Sequence, residues 1–299
     1  MRHDVTSQGT LAVTRWRVAD YVALAKPELT LLSVLTSLGG AYLAARDFIP
    51  YVAMLHTLVG TVLVGAGAGA LNQYIERDSD SRMRRTENRP LPSGRIHPRE
   101  ALLLGTLSSV VGILQLGLLT NPLAGALAAT TLVTYLFLYT PLKRVTPFAT
   151  VVGGIPGALP PLIGWAAVTG DLPIGAWSLF FILFFWQMPH FLSLAWMYRK
   201  DYARAGYKML TVVDPTGEVA ARQILIYTLA LIPAALAPTL LRILGPLYAF
   251  GALILSFGYL TQAVRLYRDR SNVNARKLFF GSLVYLSVLI GLMILDRTL

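Results

Sequence analysis

Long, uninterrupted apolar blocks constrain the fold of this chain more than any other feature of its sequence. Each block runs for about 18–25 residues, which is the length that a helix needs to cross about 30 Å of hydrocarbon. Because lipid offers no partners to backbone polar groups, each block is predicted to be a helix. The nine blocks lie at residues 26–45, 51–74, 100–119, 122–140, 148–168, 174–197, 222–241, 244–264 and 278–295.

The composition agrees with a membrane protein and indicates one domain. Hydrophobic residues make up 55% of the 299 residues and charged residues 14%, against about 25% charged residues in a soluble domain. Strands are disfavoured, because the blocks are continuous and do not alternate. We therefore predict an all-α polytopic membrane bundle of nine transmembrane helices. Residues 1–20 are polar and are expected to form an N-terminal cytoplasmic tail, and residues 21–299 to form the transmembrane domain.

The distribution of basic residues explains a net charge of +11 without a nucleic-acid partner. If the N-terminus is cytoplasmic and nine helices follow, all but three of the 26 Lys and Arg residues fall on the cytoplasmic side, in agreement with the positive-inside rule. The exceptions are Arg46, Arg242 and Arg297. This asymmetry predicts a cytoplasmic N-terminus and an external C-terminus. Residues 1–20 also lack the apolar segment of a signal peptide, so the plasma (inner) membrane is the expected location.

The most unusual polar stretch, LNQYIERDSD, follows the second apolar block at residues 71–80. If that helix continues past Leu71, the side chains of Asn72, Glu76 and Asp80 recur every fourth residue and lie on one face. One amide and two carboxylates offer only oxygen ligands, which hard cations such as Mg²⁺ prefer. Zinc is disfavoured, because the chain has no cysteine and only four histidines, none paired at ligand spacing.

Basic residues around this strip predict that the bound group is an anion. Carboxylates for a metal, together with arginines for anion oxygens, suggest a phosphate or a diphosphate. The candidate diphosphate-binding residues are Arg77, Arg84, Arg89, Lys143, Arg144 and Lys200. The plain alternative is a solvated loop with topogenic arginines. It explains the basic residues, but it does not explain an amide and two acids at the membrane boundary, where acids are costly.

A second helix end resembles the first one in position. Asp201 follows the sixth block and is flanked by basic residues, as the acidic strip is after the second block. A four-helix unit used twice would bring these two ends face to face on the cytoplasmic side, and repeats of this kind commonly place a site at their interface. Lys143 and Arg144 follow the fourth block, either as a second anion clamp or as two topogenic charges.

Two features inside the apolar blocks each allow a functional and a structural interpretation. His190 lies beside Pro189 in the sixth block, and an intramembrane ionisable residue is a functional candidate by default. A hydrogen bond to a neighbouring helix is the alternative. Gly65, Gly67 and Gly69 in the second block either leave room for a substrate or serve tight helix packing.

Several segments together resemble a known family. NQYIERDSD and NRPLPSGRI resemble the first signature of the UbiA superfamily of intramembrane prenyltransferases, and the similarity runs from about Lys26 to the last block. YTPLKR, GALPPLIGW, WQMPHF and KDYARAGYKML resemble the haem O synthase branch of that superfamily. The resemblance implies a nine-helix bundle, Mg²⁺ as cofactor, and farnesyl diphosphate and haem B as substrates. It implies transfer of the farnesyl group to a haem vinyl group with addition of water.

The resemblance also implies roles for particular residues. The family's metal motif falls on Asn72, Glu76 and Asp80, with Glu76 in place of the usual aspartate. Of the two aspartates in the second motif, Asp201 matches one, while Met197 stands at the position of the other. Asn72, Glu76, Asp80 and Asp201 are therefore the predicted catalytic and Mg²⁺-binding residues.

On the acceptor side, His190 is the candidate residue, either as a ligand of the haem iron or in positioning the water. The implied product, haem O, makes a haem A synthase or a terminal oxidase a candidate partner. Three alternatives stay open. Another UbiA-type transferase would act on an aromatic acceptor, a membrane transporter would place its site near the midplane, and a non-catalytic haem-binding assembly factor would need no cluster for metal and diphosphate.

Overall fold

The computed structural model describes residues 18–45 and 48–297. Every regular element in these residues is a helix. The α-helices are α1 (Val18–Leu24), α2 (Pro27–Ala44), α3 (Tyr51–Asp80), α4 (Pro98–Leu119), α5 (Pro122–Val133), α6 (Thr140–Leu142), α7 (Ala149–Ala158), α8 (Pro160–Thr169), α9 (Ile174–Met197), α10 (Arg199–Arg204), α11 (Leu210–Val213), α12 (Glu218–Leu240), α13 (Pro246–Arg268) and α14 (Asn272–Leu295). The predicted all-α class is confirmed. Most of the predicted N-terminal tail lies outside the described residues.

The spans agree with the predicted bundle of nine transmembrane helices. Eight spans in the described chain are long and apolar enough to cross a membrane: α3, α4, α5 with α6, α7 with α8, α9, α12, α13 and α14. The ninth is the pair α1 and α2, which bend by 53° at their junction and together pass the same test. The chain is therefore a multi-pass membrane protein.

Irregular backbone interrupts three of these spans. Lys26, between α1 and α2, has a φ of +47°, a left-handed conformation that is uncommon for a residue other than glycine. In the fourth span, residues Thr134–Tyr139 form a π-helix between α5 and α6, a feature often found at functional sites. The block predicted at 148–168 is divided at Leu159, because Pro160 cannot donate the backbone bond that would continue the helix.

The fifth and sixth spans form the centre of the bundle. In the most apolar part of each of these two spans 72% of the residues are buried, compared with 22% in α4. Helix α8 packs against α2 and α5, and α9 packs against α7, α12 and α14. The main buried core surrounds α9 and includes Trp186, Tyr248, Tyr259 and Tyr285. A residue on α8 or α9 is thus well placed to face an internal cavity.

Helix α3 is longer than a membrane is thick. Its 30 residues extend about 45 Å at 1.5 Å per residue, against about 30 Å of hydrocarbon. The glycines on this helix serve close packing, and Gly65 and Gly69 also line an internal cavity, so both interpretations of them stay open. A Cβ on Gly67 would collide with Ser109 on α4, and a Cβ on Gly69 would lie 3.0 Å from the carbonyl oxygen of Ala25. The last turns of α3 project past the close contact with α4 towards the charged loops.

The segments that follow α3 and α9 contact each other at the same end of the bundle. Met83, from the segment after α3, is buried in one cluster with Ala195 of α9 and with Ala205, Tyr207 and Met209 from the segment after α9. The segment after α9 also contacts the loop after α6, where the backbone N–H of Lys208 donates to the carbonyl oxygen of Lys143, 2.7 Å away. The predicted meeting of the two helix ends is therefore observed, whereas the four-helix repeat stays a prediction.

Candidate active site

The last turns of α3 carry a buried polar strip. Asn72, Glu76 and Asp80 are 1%, 6% and 1% exposed, and their spacing places them on one face of the helix, as the sequence predicts. Buried polar groups require partners. The structure supplies each of the three with a cationic side chain from a different segment of the protein.

Asn72 connects two helix ends. Its Oδ1 accepts a hydrogen bond from the Nζ of Lys26 at 2.5 Å, and its Nδ2 donates to the Oγ1 of Thr140 at 3.1 Å. The left-handed turn at Lys26 separates α1 from α2 and lies where the ammonium group can reach α3. Asn72 is thus held between the first and fourth spans.

Glu76 is held from two loops. Its Oε1 accepts from the Nζ of Lys143 at 2.7 Å and from the hydroxyl of Tyr207 at 3.0 Å. Burial by itself lowers the pKa of Lys143, but the Glu76 carboxylate and nearby tyrosine rings raise the pKa well above its usual value, so the ammonium stays charged. Burial and the same carboxylate raise the pKa of Tyr207, which keeps this hydroxyl protonated as a donor.

Asp80 is paired within its own polar segment. Its Oδ2 accepts from the Nη1 of Arg89 at 2.7 Å, and the intervening loop is tied back by a hydrogen bond from Thr86 to the Asp80 carbonyl oxygen. Asp78, two residues earlier, points elsewhere: its side chain is 75% exposed and its carboxylate lies 3.8 Å from Arg77. The two aspartates therefore differ in burial although they share one helical turn.

The buried strip lines one end of a cavity of about 380 Å³ that extends into the membrane-spanning part of the bundle. The charged residues that line it are Lys26, Arg85, Arg89, Lys143, Glu76 and Asp80. Basic side chains outnumber carboxylates here by four to two, and of these Arg85 is exposed. Each carboxylate is already paired with one cation, so the remaining basic groups make this end of the cavity suitable for an anion.

Five of the residues predicted for metal or diphosphate binding do not line this cavity. Arg77 bonds the carbonyl oxygen of Tyr74, Arg144 bonds the hydroxyl of Ser79, and Arg84 and Lys200 are exposed. Asp201 forms an ion pair with Arg204. Asp201 does not reach the cavity because α9 ends at Met197 and Asp201 lies on the separate short helix α10.

Three residues that do reach the cavity are not among the site residues selected from the sequence. Lys26 has only a topogenic role in the sequence interpretation, although a lysine directly before a proline at the edge of an apolar block is a usable signal. Arg85 lines the cavity and lies 5.2 Å from the centroid of the Tyr198 ring. Tyr207 belongs to the segment KDYARAGYKML, but no local pattern in the sequence connects it to Glu76.

The donor atoms of the strip fit Mg²⁺ only together with a ligand that brings further oxygens. Within residues 18–45 and 48–297, no three acidic, histidine or cysteine side chains come together as a metal site. One amide oxygen and two carboxylates remain. Mg²⁺ in proteins is commonly held by one or two carboxylates plus substrate phosphates, which is the combination that this cationic pocket can complete.

The deeper part of the cavity is apolar and aromatic. Its lining includes Leu183, Trp186, His190 and Phe191 of α9. His190 stacks on Phe279 of α14, with ring centroids 4.6 Å apart, and its Nδ1 is 2.7 Å from the Oγ of Ser282. His190 thus bonds a neighbouring helix, as the structural interpretation expects, and it also borders the cavity, while its functional role stays a prediction.

Sequence comparisons relate most of the chain to one family of prenyltransferases. Residues 33–287 match the UbiA prenyltransferase family. A protoheme IX farnesyltransferase from Solibacter usitatus is 48% identical over 288 residues, which cover 93% of this chain and 98% of that protein. A protein of the same name from Koribacter versatilis is 44% identical, and the match covers 97% of this chain and 98% of that protein.

Solved structures share the fold at low sequence identity. A structure reported for digeranylgeranylglyceryl phosphate synthase superposes with a TM-score of 0.78 at 16% identity and covers 93% of this chain and 98% of its own. A UbiA homologue from Archaeoglobus fulgidus bound to GPP and Mg²⁺ gives a TM-score of 0.65 at 16% identity. The match covers 92% of this chain and 99% of that one. At these identities the likeness concerns the arrangement of the helices.

Proposed function

The chain belongs to the UbiA prenyltransferase family, and from this premise we propose that it transfers the farnesyl group of farnesyl diphosphate to a vinyl group of haem B. The observation that carries the proposal is the cavity itself. One end is a polar cluster in which four basic side chains outnumber two carboxylates, and the other is an apolar chamber within the membrane-spanning helices. A prenyl diphosphate has the same division into a charged head and an apolar tail.

The cationic end is assigned to the diphosphate. Lys26, Arg85, Arg89 and Lys143 line it, and charged hydrogen bonds to phosphate oxygens are the strong ones. Three of these cations bond Asn72, Glu76 or Asp80. On substrate binding, they are proposed to turn from these oxygens to those of the diphosphate, which frees the strip for a metal ion.

Asn72, Glu76 and Asp80 are proposed to hold Mg²⁺ together with the diphosphate. The chemistry that Mg²⁺ supplies there is neutralisation of charge on the leaving group. A solved homologue with this fold contains GPP and Mg²⁺, which supports the use of a divalent ion. Asp201 stays a predicted fourth ligand, and its ion pair with Arg204 would have to open for it to reach the ion.

The chain's residues favour ionisation of the allylic diphosphate. As the C–O bond breaks, both bonding electrons go to the diphosphate, and fixed cations such as Lys143 and Arg89 stabilise the growing negative charge. The apolar walls keep water from the farnesyl cation. The terminal vinyl carbon of haem then forms the new C–C bond, and water adds to the carbon next to the ring and releases one proton. The products are haem O and diphosphate.

The aromatic end is assigned to the haem acceptor, with His190 as its contact.

The location proposed for the diphosphate end is the cytoplasmic side of the plasma membrane, because the segments that carry most basic residues lie there. A reporter fused after Leu299 should therefore appear on the outer side, and a cytoplasmic signal at that point would reverse the orientation. A haem A synthase or terminal oxidase remains a proposed partner for the product.

The decisive experiment is an assay with purified protein. Incubation with farnesyl diphosphate, haem B and Mg²⁺ should yield haem O, detected by its mass, and chelation of Mg²⁺ should stop the reaction. Parallel reactions replace haem with an aromatic acid or a quinone precursor. Prenylation of the aromatic acceptor, with haem unchanged, would replace this proposal by that of another UbiA-type transferase.

A further inference from the structure

The deep end of the cavity contains a polar contact that the proposed function does not require. The imidazole of His190 on α9 lies 2.7 Å, through its Nδ1, from the hydroxyl of Ser282 on α14. Ser282 is completely buried. A buried hydroxyl is costly unless it is bonded. This hydroxyl lies beside His190, the only ionisable side chain of α9 in the described residues, which indicates that it acts on the imidazole.

The hydrogen atoms of this contact can be assigned. A serine hydroxyl has one hydrogen to donate, and the Oγ of Ser282 lies 2.5 Å from the carbonyl oxygen of Phe279, a group that can only accept. The hydroxyl therefore uses its hydrogen on Phe279 and accepts from His190. It follows that the hydrogen of the neutral imidazole lies on Nδ1, and that Nε2 carries the free lone pair.

The ring is also fixed in orientation. It stacks between Trp186, at 5.1 Å, and Phe279, at 4.6 Å, with interplanar angles of 21° and 27°. Trp186 in turn donates its indole N–H to the carbonyl oxygen of Ser282 at 2.7 Å. Two hydrogen bonds at Ser282 thus connect α9 and α14, and the imidazole can neither flip nor rotate without breaking one of them.

Nε2 is the polar atom that this fixed ring can offer to the cavity. His190 lines the cavity, and in the described residues the structure gives its ring no hydrogen-bond partner other than Ser282. Histidines that bind metals commonly show this arrangement: one nitrogen donates to a neighbouring acceptor, which fixes the tautomer and raises the basicity of the other nitrogen.

We propose that Ser282 is a positioning residue that holds His190 with Nε2 directed to the iron of the haem acceptor. The inference rests on the proposed function, because it needs haem in the cavity, and it adds to that function an iron ligand and the residue that orients it.

The test is a spectroscopic titration with ferric haem B in the absence of farnesyl diphosphate. The wild-type protein should show the Soret band of imidazole-ligated haem. His190→Gly should lose this band, and added imidazole should restore it, as expected when a free ligand replaces the missing side chain. Retention of the wild-type spectrum in His190→Gly, or no haem binding by the wild-type protein, would overturn the inference.

A second pair of variants tests the role of Ser282. Ser282→Ala removes the acceptor for the Nδ1 hydrogen and should weaken haem binding about tenfold, the lower end of the effect of such supporting contacts on metal affinity. Ser256→Ala is the matched control, because Ser256 is a buried hydroxyl that contacts Tyr285 and not His190. Equal haem affinity in Ser282→Ala and wild type would remove the positioning role.

Two further measurements separate this inference from the proposed function. Farnesyl diphosphate affinity should be unchanged in each variant, which also shows that the variant is folded. Haem O formation by a wild-type protein whose spectrum does not depend on His190 would leave the function intact and refute the iron ligand. An imidazole-type spectrum without haem O formation would support the iron ligand and refute the proposed function.

Discussion

The two ends of the cavity hold their polar groups in opposite ways. At the charged end, six charged side chains from four segments of the chain line the cavity, and each carboxylate is paired with a cation. At the deep end, one imidazole is held by a serine and two aromatic rings. The first arrangement consists of ion pairs that can exchange partners, whereas the second is a single fixed contact.

This difference corresponds to what each half of the proposed reaction requires. A leaving diphosphate gains charge as its bond breaks, so the site needs cations that are already in place. A haem acceptor needs a defined orientation more than it needs charge. Substitutions at the two ends should therefore separate: those near Asn72, Glu76 and Asp80 should affect the diphosphate, and those near His190 should affect haem.

The largest effect is expected from neutralising Asp80. Asp80→Asn keeps the shape of the side chain but removes a proposed metal ligand and the charge that holds Arg89. We expect kcat/KM for haem O formation to fall about 10³-fold, since single groups that stabilise transition-state charge are worth about 10²–10³. Asp78→Asn is the matched control, because Asp78 is exposed and faces away from the cavity. Equal losses in both variants would show that the effect is not specific to the site.

A smaller effect is expected from Lys143→Met, which keeps the length of the side chain and removes its charge. Farnesyl diphosphate affinity should fall about thirtyfold, or about 2 kcal/mol, while haem affinity stays the same. The measurement is a direct binding titration with each substrate. An equal loss of haem affinity would mean that the two ends of the cavity are not independent.

The same variant should also lose thermal stability, because Glu76 is left as a buried carboxylate with Tyr207 as its only remaining bonded partner among the described residues. Adding Glu76→Gln should recover the melting temperature without recovering diphosphate binding. Lys277→Met serves as a control, since Lys277 is exposed and lies outside the lining of the cavity. A double variant that regains affinity would remove Lys143 from the proposed diphosphate contacts.

Local periodicity makes part of the site predictable. The apolar blocks predict the spans, and the four-residue spacing alone places Asn72, Glu76 and Asp80 on one helical face. The bend at Lys26 and the π-helix at Thr134–Tyr139 are not predictable in this way. Both are backbone irregularities that depend on how neighbouring helices satisfy the interrupted hydrogen bonds.

Contacts between distant segments are not accessible from the sequence for a different reason. Tyr207 bonds Glu76 across 131 residues, and Ser282 bonds His190 across 92. Neither pair has a local pattern, because each depends on which spans lie side by side. The exposed basic residues show a second limit: a loop rich in arginine predicts an anion site, but not which of its side chains turn inwards.

The smallest effect tests that last distinction. Arg84 and Lys200 are predicted from the sequence to bind the diphosphate, yet both are exposed and neither lines the cavity. Water and salt screen such charges over about 8 Å at physiological ionic strength. We therefore expect Arg84→Ala and Lys200→Ala to change farnesyl diphosphate affinity less than about twofold, whereas Arg89→Ala, which removes a cavity-lining cation, should weaken it at least tenfold. Titrations at low and physiological salt measure both. A tenfold loss for Arg84→Ala at physiological salt would mean that the segment between α3 and α4 rearranges on binding and that the cavity closes further around its substrate.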